Sequence, residues 1–335
     1  MKIFIWIVLI TVIGSVPLYA RTLDFAVTDF SKADSIAALY PRHSLRDLRA
    51  LADKLTRPLS TDVDKFRSIY TWVCTNIAND YALYLKNERQ RRKYTEPLAR
   101  KAWNREFSAR VFEKLLHEHK TVCTGYAYLV KELAYHAGIK CIVVDGYGRT
   151  AQSNIRGEGI ANHSWNAVCL NGKWYLCDAT WSSGAIDART GSFVKKYDAA
   201  YFLMDPALFV RNHYPLDPAW TLLDEKLTLQ EFLNRPLIYS SIFQYNIQKL
   251  LPEAFDVTIP KSGTLSFQFA MENGKQPETV SIQIKGNDSL DMLYPEVYRD
   301  AGILCFDHTF RSKGTYVVHI LFNGSYACTY TVQVK

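Results

Sequence analysis

The 335-residue chain is 48% hydrophobic and 22% charged, with a formal net charge of +7. The apolar fraction supplies one large core or two ordinary ones and excludes a disordered chain. A charge this mild for the length excludes reading the protein as a nucleic-acid binder on electrostatics alone.

The chain opens with Lys2 and an apolar run over residues 3–13, followed by Gly14, Pro17 and Ala20. Charge, short apolar stretch and small residue in that order predict a secretory signal peptide cleaved after Ala20, although Leu18 is larger than is usual two positions earlier. The run is shorter than the ~20 residues that span a bilayer. The mature protein is therefore expected to be exported, secreted or periplasmic, with no stable membrane span. Export permits disulfides, and the seven cysteines are odd in number, so at least one is left over.

Residues 21–58 are polar with a helical period. From Asp62 the helix signal sharpens. Thr61 or Asp62 caps it, and Phe66, Ile69, Tyr70, Val73 and Ile77 recur at helical spacing before Asn79-Asp80. Residues 86–114 hold ten Lys/Arg against four Asp/Glu. An anionic-polymer contact competes there with a solvated helix face. Leu98, Ala102, Val111 and Leu115 favour ordinary helices with one apolar side.

TVCTGYAYLVKELAYHAGI then offers Thr121 as N-cap, a stripe of Tyr126, Leu129, Val130, Leu133 and Ala137, and Gly138 as the C′ residue. Cys123 thus falls in the first turn of a helix with a buried body. CIVVDGYG reads as a strand. NHSWNAVCL and KWYLCDATW flank Asn171-Gly172, the strongest short-range hairpin signal. Residues 197–235 are mixed and turn-rich. Beyond about residue 252, alternating runs such as GTLSFQFAM and GTYVVHILF predict a small antiparallel β-sandwich.

The hairpin permits a geometric test. With Asn171 and Gly172 as the loop, facing residues have numbers summing to 343. Thr180 then faces His163, and Asp178 faces Trp165. His163 and Asp178 become diagonal neighbours on one face, roughly 7–8 Å apart at the backbone, within reach of an imidazole–carboxylate contact. A one-residue slip would separate them. Trp165, Trp174 and Trp181 are expected as core or cleft walls. Cys177 should point away from this face and Cys169 toward it, so no disulfide is expected across the hairpin.

A helix N-terminus favours a thiolate, an imidazole takes the proton, and a carboxylate on the far ring nitrogen fixes the tautomer. Cys123, His163 and Asp178 are the candidates for those roles. The Cys123 N–H is one oxyanion donor, and the sequence names no second. No Walker loop, GxGxxG, HExxH or EF-hand loop is present, so neither cofactor nor metal is expected.

VCTGYAYLVKELAYHAGI followed by NHSWNAVCLNGKWYLCDATWSSG resembles the transglutaminase-like superfamily. The resemblance implies a papain-like α+β core, helices packed on an antiparallel sheet, with Cys, His and Asp in this chain order. The nucleophile falls on Cys123, the base on His163 and the third member on Asp178. RSIYTWVCTNIANDY resembles the helix preceding the catalytic one. YFLMDPALFVRNHYPLDPAWTLL and the β-rich tail resemble the kyphoscoliosis-peptidase branch. One departure is visible: the Tyr-Asp that usually follows the first helix is Asn79-Asp80 here.

The predicted organisation is a signal peptide (1–20), an N-terminal helical segment (21–58), a transglutaminase-like catalytic domain (59–235) and an immunoglobulin-like sandwich (245–335). The expected function is a cysteine-dependent acyl-transfer enzyme, a peptidase or amidase, acting on a protein or peptide. A crosslinking transglutaminase is the first rival. A non-enzymatic scaffold, contacting an envelope or protein partner through the C-terminal β domain, is the second.

Overall fold

The computed structural model describes residues 22–25, 27–94, 96–150, 161–187, 190–245, 247–271, 276–286 and 289–335. The predicted signal peptide lies outside the described residues. No helix among the described residues is long and apolar enough to cross a membrane.

Helices α1 (Ser31–Ala38), α2 (Leu48–Thr56) and α3 (Asp62–Asn76) open the fold. Thr61 caps α3 by accepting the Asp64 N–H at 3.2 Å, beside Asp62 and Asp64 in the first turn, where carboxylates meet the positive helix end. The stripe Phe66, Ile69, Tyr70 and Val73, continued by Ile77, is fully buried. Burial extends round most of α3 because it lies between the first two helices and those that follow. Asp34 holds Arg67 through two bonds of 2.7 and 2.8 Å, tying α1 to α3.

After α3 the chain makes the two-residue strand β1 (Ala78–Asn79). It leaves through α4 (Tyr81–Lys93) and α5 (Pro97–Glu118), and returns as β2 (Lys120–Thr121), parallel to β1. The basic segment is therefore a helical excursion between two adjacent strands. No residue of α4 is buried. In α5 the packed side is Trp103, Phe107, Val111 and Leu115, whereas Leu98 and Ala102, expected on that side, are exposed. Asp80 caps α4 and pairs with Lys114, which fastens the excursion at its base.

Helix α6 (Cys123–His136) starts directly after β2. Its N-cap is Val122, with no side-chain cap bond, and not Thr121. Thr121 is committed to the strand pair, its carbonyl accepting the Asp80 N–H at 2.7 Å. Tyr126, Leu129, Val130 and Leu133 are buried as expected, and Gly138 takes φ +75°. The helix packs on an antiparallel sheet whose middle strands are β3 (Cys141–Gly148) and β4 (His163–Leu170). The strands β5 (Lys173–Cys177) and His213–Pro215 form its edges.

The hairpin register is the predicted one: all five β4–β5 pairs, from Asn166↔Cys177 to Leu170↔Lys173, sum to 343. Asn171 and Gly172 both have positive φ, the requirement of a two-residue turn that matches strand twist. The strand ends at Cys177, however, three residues short of Thr180, and Asp178 does not pair with Trp165. Asp178 stays extended (φ −132°, ψ 100°) but caps the short helix α7 (Ala179–Ser182). Thr180 is thus helical and does not pair with His163.

The C-terminal region is rich in antiparallel strands. Two sheets close on Phe267, Phe269, Leu304 and Phe306 from one side and Ile282, Val318, Ile320 and Tyr330 from the other. The short strand Leu237–Ile238 pairs with Ser325–Val334, so the chain leaving the core enters the β-rich region as a strand. All seven cysteines are free thiols.

Candidate active site

The first turn of α6 holds Cys123, buried at 9% exposure at the floor of a cleft of about 280 Å³. The parallel pair β1–β2 fixes where α6 begins, and places Asn79 on the cleft wall beside Val122 and Cys123. His163 stands at the start of β4. Its Nε2 lies 2.7 Å from Asp178 Oδ2, and the remaining face of the ring meets the Cys123 side chain. With Nε2 engaged by the carboxylate, Nδ1 is the nitrogen left for the thiol. The three predicted residues are therefore together, in the order Cys123, His163, Asp178.

Asp178 reaches His163 by a route different from the expected strand diagonal. As N-cap of α7 it accepts the Thr180 and Trp181 N–H groups on Oδ1, at 2.8 and 3.3 Å, which leaves Oδ2 aimed into the sheet. That oxygen meets a second imidazole, His213 Nε2, at 3.0 Å. His213 lies within the YFLMDPALFVRNHYPLDPAWTLL stretch, but no role was legible for it there.

His163 and His213 stand on the two strands that flank β3, His163 opposite Gly146 and His213 opposite Gly148. A Cβ at Gly148 would come within 2.9 Å of His163 Cβ, closer than real Cβ atoms pack. The imidazole centroids are 5.3 Å apart as a result. Trp181 completes the enclosure, stacked 5.1 Å from His163 and tilted against His213 at 4.2 Å.

Burial alone would push the His163 imidazolium down. The Asp178 carboxylate against it outweighs burial and raises its pKa to about 10. Burial likewise opposes ionisation of Asp178, but the two histidines hold it well below the ordinary carboxylate range. For His213 burial prevails, bringing it down to about 4. His213 Nε2 faces Asp178 Oδ2 and its Nδ1 lies 2.7 Å from Asn212 Oδ1, while Asn212 Nδ2 donates to the Tyr201 hydroxyl at 3.0 Å and to the Ile238 carbonyl at 3.2 Å.

His163, Asp178 and His213 also bring ligand-type atoms within 4.8 Å of one another. Both histidines are already bonded to one carboxylate oxygen, which accounts for the convergence without an ion. The rest of the cleft is mainly aromatic and apolar, with Tyr81, Tyr84, Trp181, Ile186 and Phe193 among its lining, beside the polar Arg149, Thr150 and Asn162. Tyr239, Ser240 and Tyr326 reach it from the C-terminal region. Among the described residues no aspartate or glutamate lines it.

Residues 49–179 match the model of the transglutaminase-like superfamily. The chain is 30% identical over 286 residues to Kyphoscoliosis peptidase of Homo sapiens, covering 82% of this chain and 40% of that protein. This chain belongs to the transglutaminase-like superfamily. Its Mus musculus relative of the same name is 30% identical over 277 residues, covering 79% of this chain and 39% of that protein. Hillarin of Drosophila melanogaster is 28% identical over 232 residues, 65% and 26% of the respective chains. The chain thus spans about 40% of the length of its kyphoscoliosis-peptidase relatives. Superfamily membership and the paired histidine and aspartate are consistent with a cysteine-dependent enzyme.

Proposed function

We propose that the protein is a cysteine-dependent acyl-transfer enzyme that hydrolyses peptide or amide bonds. The observation that carries this reading is His163, held by Asp178 on one nitrogen and meeting Cys123 with the other at the floor of an open cleft. In it, Cys123 Sγ attacks the substrate carbonyl and forms a thioester. His163 takes the thiol proton and gives it to the departing amine. Water, deprotonated by the same imidazole, then cleaves the thioester and releases the acid. Likeness to relatives named peptidases favours water over an amine as the acceptor. The aromatic, carboxylate-free walls suit an apolar or aromatic side chain beside the bond to be cleaved.

The test is alkylation by iodoacetamide at mildly acidic pH, with the modified residue located by mass spectrometry. Cys123 is expected to react first, because it opens on the cleft beside an imidazole that can take its proton. Burial pushes Cys74, Cys177 and Cys328 well up and Cys141 to about 12, holding them as thiols. Equal labelling of Cys123 and these four would sink the activated nucleophile.

For the oxyanion, the Cys123 N–H lies in a first helical turn, where backbone donors lack intrahelical partners. Asn79, on the cleft wall beside it, is the second donor in this reading. Asn79→Ala is expected to slow acylation by about 100-fold, the usual cost of one such donor. An unchanged acylation rate in that variant removes Asn79 from the mechanism.

A further inference from the structure

We infer that His213 is a fourth working member of the site, a positioning residue whose Nε2–H shares Asp178 with His163 and limits how tightly the carboxylate holds the His163 proton. The inference deepens the reading of His163 as base and rests on it.

Asp178 is fully buried and uses both oxygens completely. Oδ1 is fixed by the two N–H groups of α7, so the carboxylate cannot turn to give each histidine its own oxygen. Oδ2 must serve both, at 2.7 and 3.0 Å. Each donor draws on the same negative charge, so what His213 takes is withdrawn from His163. The Nε2–H is present in the imidazolium and in the neutral form that faces a carboxylate, so the effect has one sign in either state.

The surroundings commit the ring to this bond. His213 is fully buried, stacked on Phe209 at 4.0 Å and 22°, with Trp181 on its other side. A buried ring needs partners for its nitrogens, and Asp178 and Asn212 supply them. Gly148 in β3, opposite His213, leaves the room that the His163 ring takes beside it.

The titratable groups facing His163 are Asp178, Cys123 and His213. Those facing His213 are Asp178, His163 and the Tyr201 ring. Cys74, Tyr126, Cys177 and Tyr201 also feel Asp178, and burial keeps all four protonated. Asp178 is therefore the anion, and His213 is the group that competes for it.

The test is a titration of the full chain, following side-chain histidine ¹⁵N signals by NMR in a Cys123→Ala background. That background removes the thiol's own pull on His163 and needs no substrate. The result therefore stands or falls separately from the nucleophile role of Cys123. In this protein His213 Nε2 is expected to carry a proton at neutral pH, and an unprotonated Nε2 would overturn the inference outright. Adding His213→Phe keeps the stacked ring and removes both nitrogens. It is expected to move the His163 midpoint upward by about one pH unit. His213→Gln, which returns a side-chain N–H of similar reach, should recover at least half of that shift. A merely structural His213 would lower stability and leave the midpoint where it was. Such an unmoved midpoint, or a downward shift, in a folded His213→Phe protein also overturns the inference. If that variant loses its near-UV circular dichroism, His213→Met is titrated in its place with the same expectation.

Discussion

Cys123→Ala is expected to abolish turnover and covalent trapping while leaving the fold in place. The thiol is the attacking atom in the proposed reaction, and no other cysteine lines the cleft. Losing one sulfur at this nearly buried position costs about 1 kcal/mol, small against the core that α6 contributes through Tyr126, Leu129, Val130 and Leu133. Two measurements check this together: product formation on a peptide with an apolar residue at the cleaved bond, and the thermal midpoint. Turnover near the wild-type rate in the alanine protein ends the nucleophile assignment. An unfolded variant would instead reveal a structural thiol.

Asp178→Asn carries the second large effect. Asparagine is nearly isosteric and can still accept the α7 N–H groups through its oxygen. Its amide nitrogen then faces the two imidazoles, where a donor replaces the acceptor they need. His163 must move its proton to the nitrogen beside Cys123 and can no longer accept the thiol proton there. A loss of about 10⁴ in kcat is expected, the scale seen when a triad carboxylate becomes an amide. Single-turnover acylation separates this loss from any change in substrate binding.

The same substitution should flatten the pH dependence of stability. His163 is raised in the folded state from 6.5 to about 10, so its contribution is fully present below pH 6.5 and lost as pH rises through 10. Asp178 is depressed from 3.8, so its contribution is present above that value and lost as pH falls through the lower folded value. The pair therefore stabilises most between about pH 4 and 6.5. Urea midpoints at pH 6 and 9 should differ more in the wild type than in Asp178→Asn. Equal slopes in the two proteins would show that the pair does not titrate as bonded partners.

Much of this site is legible in the chain because its parts are local. The α6 stripe and Gly138 identify a buried helix beginning near Cys123. Asn171-Gly172 sets the sum of 343 for the pairs from Asn166↔Cys177 to Leu170↔Lys173, which leaves Asp178 one residue beyond the paired strand. Such features depend on backbone turn chemistry and on periodicity, which act within a few residues. The Asp178 contact shows the limit of local reasoning. The strand stops at Cys177, and the carboxylate reaches His163 as a helix cap, so the contact is made by a different local geometry from the one expected. Leu98 and Thr121 went the same way: one turn of α5 projects outward, and Thr121 is taken by a two-residue strand whose partner lies 42 positions earlier.

The sequence by itself determined the helix that presents Cys123 and the register of the hairpin whose strands lead to His163 and Asp178. Only the tertiary structure decided that a second imidazole shares the carboxylate. His213 and His163 are fifty positions apart on strands that never pair with each other. They meet because both flank the same strand, which carries Gly148 where a Cβ would crowd His163. A sequence pattern records which faces are apolar. It does not record which two side chains will reach over a third strand to one oxygen, because that depends on the sheet order and on the helix cap that holds Asp178 still.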